Sequence, residues 1–284
     1  MQISTVILPD DRWAETRARW VRAEEMGFDH AWTYDHLTWR DLRDKPWFGA
    51  IPTLTAAAAV TRRIRLGTLV ASPNFRHPVP FAKELMTLDD VSEGRLSIGL
   101  GAGGDGFDAT ALGQSAWSPS ERADRFEAFV GLLDRLLVQE RTNEAGEIFS
   151  ASEARSLPGC VQAPRPPFVM AGGGPRGMRL AAVHASTWVA VDGRDATGES
   201  VQKLQAVCER EGRDFDTLGR LALLGFLERP LASRAAFLDA VGRYAELGFT
   251  GIAVHWPREA EPFRADARIL DEIAPEIARL ASAP

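Results

Sequence analysis

An aspartate and a histidine stand side by side in the segment WTYDHL, where Asp35 and His36 follow a short apolar run. Histidine changes charge near neutral pH, and a nearby carboxylate can orient its ring or shift its pKa. Neighbours on a strand point to opposite faces, which weighs against direct contact. We interpret the pair as candidate proton-transfer residues, the alternative being a purely structural histidine.

Three glycines, Gly172, Gly173 and Gly174, separate another apolar run from a helix predicted to begin at Pro175. Glycine lets backbone N–H groups approach an anion closely, and the dipole of the following helix favours negative charge. Arg176 could add a charge-assisted contact. The segment predicts a phosphate-binding loop, the alternative being a tight turn.

A second glycine cluster, GLGAGGDGFDA, spans residues 99–109. A GxGxxG pattern alone is weak support for a dinucleotide site, and this cluster follows the fourth apolar run instead of opening a Rossmann unit. We interpret it as backbone against which a flat aromatic ring can lie, with a plain loop as the alternative. Asp105 and Asp108 are expected to face ligand or solvent.

Short apolar runs alternate with amphipathic stretches along the whole chain, as in βα units that build a parallel sheet. Most runs are continuously apolar, which is typical of strands buried on both faces. The eight runs are Ile3–Leu8, His30–Tyr34, Ile64–Ala71, Leu96–Leu100, Phe168–Ala171, Trp188–Val191, Leu221–Leu227 and Ile252–His255. They predict an α/β fold of the (β/α)₈ TIM-barrel type, with its active site at the carboxyl ends of the strands.

The helices between these runs carry recognisable ends. Ser118 and Glu121 form a capping-box pattern with Pro119 between them, and Ser233 is expected to cap a later helix. A longer polar segment at about 139–167 is predicted to be an insertion that borders the site. The remainder of residues 1–284 is expected to form one barrel domain.

Composition excludes several classes of function. The 284 residues carry a formal net charge of −6 without a basic stripe, which argues against a nucleic-acid partner. The two cysteines, Cys160 and Cys208, have no neighbours at metal-ligand spacing, so we expect neither a metal site nor a disulfide. No apolar stretch reaches the roughly 20 residues that cross a bilayer, so we expect no membrane association and a cytoplasmic location.

Together these segments resemble the bacterial luciferase-like superfamily, and within it the branch of oxidoreductases that use the deazaflavin coenzyme F420. The resemblance runs from the first strand to about the sixth and weakens towards the carboxyl end. It rests on WTYDHL, LGTLVASPNFRHP, TLDDVSEGRLSIGLGAGGDGFDA, SPSERADRFEAFVGLLDRLL and GGGPRGMRLAAVHASTW.

The resemblance implies roles for particular positions. A cis peptide between Leu69 and Val70, in a bulge that continues to Ala71, would back the cofactor ring, and Asp35 and His36 would approach that ring. The remaining positions that it implicates in cofactor binding are Gly101, Gly103, Gly104, Asp105, Gly172, Gly173, Gly174 and Arg176.

Two positions depart from what some deazaflavin dehydrogenases carry. Those enzymes have a catalytic glutamate soon after the fourth-strand glycines, where this chain has Gly104 and Asp105. They also have a tryptophan four residues beyond the histidine, whereas Trp39 lies three beyond His36. Because of these two differences, the sequence does not assign the protein to one particular sugar or alcohol dehydrogenase.

The predicted function is hydride transfer between coenzyme F420 and a small organic substrate, with His36 as proton donor or acceptor. The alternatives are a two-component monooxygenase that uses FMN, a protein that binds a flavin without turnover, and a sugar-phosphate barrel. Analogy with the family adds the expectation of a homodimer.

Overall fold

The computed structural model describes residues 1–104 and 107–281, so Asp105, predicted to bind the cofactor, lies outside the described residues. The strands are β1 (Gln2–Val6), β2 (His30–Thr33), β3 (Arg65–Thr68), β4 (Leu96–Gly101), β5 (Arg141–Ala145), β6 (Ser150–Arg155), β7 (Phe168–Ala171), β8 (Thr187–Val191), β9 (Gly219–Leu223) and β10 (Gly251–His255). The helices are α1 (Trp13–Glu25), α2 (Ala50–Val60), α3 (Pro78–Val91), α4 (Phe107–Ala111), α5 (Pro119–Val138), α6 (Pro175–His184), α7 (Gly198–Arg210), α8 (Arg234–Glu246) and α9 (Ile269–Ala281).

Eight parallel strands close into a barrel in the order β1-β10-β9-β8-β7-β4-β3-β2, which confirms the predicted (β/α)₈ fold. β5 and β6 form a separate antiparallel hairpin inside the segment predicted to be an insertion. None of the residues at 139–167 lines the cavity at the carboxyl ends of the strands, so the expectation that this segment borders the site is corrected.

The strands divide the buried side chains into two layers. Alternate residues of each strand point into the barrel, where Val6, Trp32 and Leu221 meet, while the others pack against the helices. Trp32 fills the interior because it lies over Gly67, where an added Cβ would sit 2.5 Å from the indole ring. The filled barrel is therefore a rigid support for the loops above it.

The predicted helix ends are present. Ser118 accepts a hydrogen bond from Glu121 N while its own N–H donates to the Glu121 carboxylate, and Ser233 caps α8. Gly27 follows the C-cap of α1, and its φ of +85° favours glycine. Within residues 1–104 and 107–281, the helices are all too short or too polar to cross a membrane.

Candidate functional site

A cavity of about 580 Å³ opens at the carboxyl ends of the strands. Its floor is the apolar top of the barrel interior, and loops after β2, β3, β4, β7 and β8 form its walls. The predicted site residues that line it are His36, Leu69, Val70, Gly101, Gly103, Gly104, Gly172 and Gly173.

His36 is held by a carboxylate that sequence reasoning did not pair with it. Nδ1 of His36 lies 2.8 Å from Oδ2 of Asp108, and Oδ1 of Asp108 accepts the Leu37 N–H at 2.7 Å. An ionised carboxylate only accepts, so in the neutral imidazole of His36 the proton is on Nδ1 and the lone pair is on Nε2. Trp47 Nε1 donates to the His36 carbonyl and fixes the backbone there.

Asp108 was expected to face ligand or solvent, and it is among the residues that line the cavity. The residue lies in the first turn of α4 and is 3% exposed, with both carboxylate oxygens engaged by the His36 segment. Its role is to orient the imidazole, because a hydrogen-bonded carboxylate fixes both the ring position and the tautomer.

Asp35 points away from the cavity and is not among the residues that line it. Its carboxylate binds the Arg76 guanidinium in a bidentate pair, at 3.0 and 2.7 Å, and is almost fully buried. Burial disfavours the charge on Arg76, but the hydrogen bonds that its guanidinium donates to the carboxylates of Asp35 and Glu84 raise the net pKa of Arg76. Asp35 therefore supports the loop after β3 rather than the reacting centre.

The bulge after β3 forms one wall. The Leu69–Val70 peptide is cis, as the resemblance implies, and both side chains line the cavity. Ala71 was predicted with them, but its fully buried side chain packs in the outer layer against the helices. Its backbone pairs with Leu100 of β4, which turns the side chain away from the cavity.

Glycines at the end of β4 and just after it line the cavity. A Cβ on Gly101 would lie 2.6 Å from Cγ2 of Val70, so the two walls approach closely only without a side chain there. Gly103 has a φ of +79°, and a Cβ there would overlap the Asn74 amide. A Cβ on Gly104 would meet nothing within 4 Å, so the backbone is open to the cavity at this glycine.

The loop after β7 is the segment that was predicted to bind a phosphate. Gly172 and Gly173 line the cavity, while Gly174 is the N-cap of α6 without a capping side chain. A Cβ on Gly173 would lie 2.3 Å from the Asp195 carboxylate, whereas one on Gly174 would meet nothing within 4 Å. N–H groups of the first turn of α6 thus lack a side-chain acceptor from the N-cap.

Arg176 does not line this cavity. Its guanidinium pairs with Asp124 at 2.7 Å and Glu127 at 2.8 Å on α5, and these hydrogen bonds raise the pKa of Arg176. The arginines that do line the cavity are Arg40, Arg122 and Arg194, which sequence reasoning did not select. The positions of Arg122 and Arg194 depend on how α5 and the loop after β8 reach the rim, and no local motif marks them.

A buried tyrosine–histidine pair closes the far side. Tyr34 O–H lies 2.6 Å from Nε2 of His255, and Nδ1 of His255 lies 2.8 Å from the Leu224 carbonyl. The carbonyl only accepts, so Nδ1 carries the proton and Nε2 accepts from Tyr34. Burial lowers the pKa of His255 to about 3 and raises that of Tyr34 well above its usual range.

Known proteins share this architecture. Residues 1–247 match the family described as luciferase-like monooxygenase. An F420-dependent glucose-6-phosphate dehydrogenase of Beutenbergia cavernae is 31% identical over 255 residues, which cover 85% of this chain and 72% of that protein.

Two solved structures have the same fold. An F420-dependent secondary alcohol dehydrogenase in complex with an F420-acetone adduct superposes with a TM-score of 0.84 at 17% identity, covering 99% of both chains. A monooxygenase of Streptomyces bottropensis gives 0.77 at 22% identity and covers 99% of this chain and 100% of its own. The match over most of the chain confirms the resemblance seen in the sequence, and this protein belongs to the luciferase-like monooxygenase family.

Proposed function

We propose that this protein is an oxidoreductase that uses coenzyme F420 and transfers a hydride between the deazaflavin and a small organic substrate. The observation that carries the proposal is the His36–Asp108 pair at 2.8 Å, placed beside the Leu69–Val70 bulge and the glycines after β4. The names of relatives that act with F420 support the choice of cofactor.

The cavity fits the ring of such a cofactor. Leu69 and Val70 offer an apolar wall, and Ala171, Val189 and Leu223 continue it across the floor. When bound, the deazaflavin would supply or accept the hydride at C5, and the protein would provide orientation and electrostatics. Gly104, where an added Cβ would meet nothing within 4 Å, leaves room at the edge of a flat ring.

The phosphate end fits at the loop after β7. Backbone N–H groups around Gly172 and Gly173, together with the positive end of α6, favour an anion. Arg194 at the rim adds positive charge in place of the predicted Arg176. Asp195 also lines the cavity and lies against Gly173, and its carboxylate accepts the Val191 N–H at 2.6 Å.

His36 holds or moves the proton. Its Nε2 lone pair can accept the proton of a substrate hydroxyl, and the carboxylate of Asp108 stabilises the resulting imidazolium. In the opposite direction the imidazolium donates that proton to a carbonyl oxygen. The side chain is only partly exposed at the cavity, which limits competition from water.

A titration of the apoprotein tests the cofactor. Coenzyme F420 and FMN would be added separately while cofactor fluorescence is followed at several protein concentrations. We expect tight binding of F420 and weaker binding of FMN. Preference for FMN would favour the monooxygenase that shares this family and fold, and binding of neither would refute the cofactor assignment.

Replacement of His36 tests the chemistry. His36→Asn should depress turnover far more than F420 affinity, because the side chain lines the cavity beside the ring wall. Turnover equal to that of the parent would remove the proposed role, and F420 binding without turnover on any substrate would favour the non-catalytic alternative.

The homodimer stays a prediction, which light scattering of the purified protein would test.

A further inference from the structure

A second and larger cavity, of about 910 Å³, lies beside the first. It is enclosed by the loop after β9, at 224–233, and by the loop after β10 together with the start of α9. Trp39, Arg40 and Phe226 line both cavities, so they form a shared partition. Any molecule in the second cavity therefore lies next to the cavity that holds His36.

The buried part of this second cavity is apolar. Residues of its wall that are exposed carry most of the polar groups, while those that are buried carry hydrocarbon or aromatic surface. The buried lining residues are Trp39, Leu224, Pro230, Leu231, His255 and Ile269. A ligand that fills this floor gains by transferring apolar surface out of water.

His255 brings no charge to that floor. Both of its ring nitrogens are engaged, one by Tyr34 and the other by the Leu224 carbonyl. Phe263 stacks on the ring with a centroid distance of 3.3 Å. The histidine thus contributes a flat, neutral aromatic surface to the wall.

Charged residues at the rim are arranged in pairs. Arg229 binds Glu261 at 3.0 Å and ties the two loops together, and Arg268 binds Asp266 at 2.5 Å. The lining residues comprise five carboxylates and four arginines. A phosphorylated ligand would therefore meet no net positive charge here.

The partition between the cavities is held in place by a buried carboxylate. Asp192, at the end of β8, accepts the backbone N–H groups of residues 225–228 at 2.9 to 3.1 Å. Four such bonds fix the Phe226 side of the partition. The second cavity is thus preformed, which lowers the ordering cost of binding.

We propose that the second cavity binds an uncharged and mainly apolar organic molecule. Resting on the proposed function, this molecule is the body of the substrate, whose reacting carbon reaches the first cavity past Phe226. Leu227, which is 73% exposed at the rim, extends the apolar surface outwards. The substrate class thus differs from the phosphorylated sugar named for the Beutenbergia cavernae relative.

The neutral dye Nile red tests this cavity without any assumption about turnover. Its fluorescence would be titrated with the parent protein, with and without F420, and with the variant Ala265→Trp, which fills the cavity from its wall. Ala267→Trp is the matched control, because Ala267 is an exposed residue of the same loop outside the lining. Ala232→Trp fills the cavity from the opposite loop.

We expect Ala265→Trp and Ala232→Trp each to weaken dye binding about tenfold or more, since added bulk removes the space the dye needs. Ala267→Trp should bind like the parent, F420 affinity should be equal in all four proteins, and 2-decanone should displace the dye where glucose 6-phosphate does not. No dye binding by the parent, displacement of the dye by F420 or by glucose 6-phosphate, or equal binding by the filled variants would overturn the proposal. The proposed function is judged separately by the F420 titration.

Discussion

Replacement of Asp108 by asparagine tests how the imidazole is controlled. The side-chain oxygen of asparagine can still accept the Leu37 N–H, which places its amide N–H₂ against Nδ1 of His36. A donor at that point requires a lone pair on Nδ1, so the ring proton moves to Nε2. Nε2 of His36, the ring nitrogen that is not bonded to residue 108, then donates a hydrogen bond instead of accepting one.

The size of the effect follows from the bond that is lost. A hydrogen bond to a charged group contributes about 1.5 to 3 kcal/mol, and the imidazolium formed on proton transfer would lose its carboxylate partner at 2.8 Å. One factor of ten in rate corresponds to about 1.4 kcal/mol. Asp108→Asn should therefore lower kcat about 10- to 100-fold, while the dissociation constant of F420 stays within about twofold.

The assay is steady-state turnover followed by the visible absorbance of the deazaflavin, with a substrate found by screening neutral alcohols and ketones. Asp108→Asn would be compared with His36→Ala and with the double variant. If Asp108 acts through His36, the second change adds little to the loss caused by the first. Losses that multiply, or an unchanged kcat in Asp108→Asn, would refute the reasoning.

Three further predictions concern the anion loop and the barrel. Gly173→Ala should weaken F420 binding about tenfold, because the added Cβ would clash with the carboxylate of Asp195. Gly174→Ala is the control: its Cβ would meet nothing within 4 Å, so this variant should bind F420 like the parent in the same fluorescence titration. Arg194→Ala should weaken F420 binding, and Arg176→Ala, whose arginine is paired with α5, should not. His255 has a folded pKa of about 3, below the 6.5 of the unfolded chain, so protonation favours unfolding. As the pH is lowered from 6.5 to 3, the free energy of unfolding should therefore decrease by up to about 1.4 kcal/mol per pH unit. Urea titrations at several pH values should show a smaller decrease for His255→Asn.

The barrel could be predicted because strands buried on both faces need continuous apolar runs, and those runs are local. The seventh run shows the limit. Leu221–Leu227 is apolar almost throughout, yet β9 ends at Leu223. Asp192 on the neighbouring strand binds the N–H groups that would have continued the ladder, and such a partner cannot be read from the run itself.

The structure separates the two members of the candidate proton pair for a similar reason. His36 lies where a strand-end histidine was predicted, at the cavity, but its carboxylate partner is 72 residues away in a short helix that the glycine pattern did not predict. Asp35 is adjacent in sequence and points to the opposite side, where Arg76 neutralises it. The sequence pattern thus placed His36 at the cavity, but the carboxylate that contacts its ring belongs to Asp108 and not to the adjacent Asp35.

The residues that match the family line one cavity more completely than the other. The bulge, the glycines, His36 and Asp108 all lie within residues 1–247, which match the family, so the cofactor end draws on shared sequence. The second cavity takes much of its wall from residues 255–272, beyond that match. Because the substrate must contact this wall if it occupies the second cavity, its identity is expected to depend on the residues beyond 247. A substrate screen guided by the cavity's apolar floor is therefore better founded than one guided by the names of relatives.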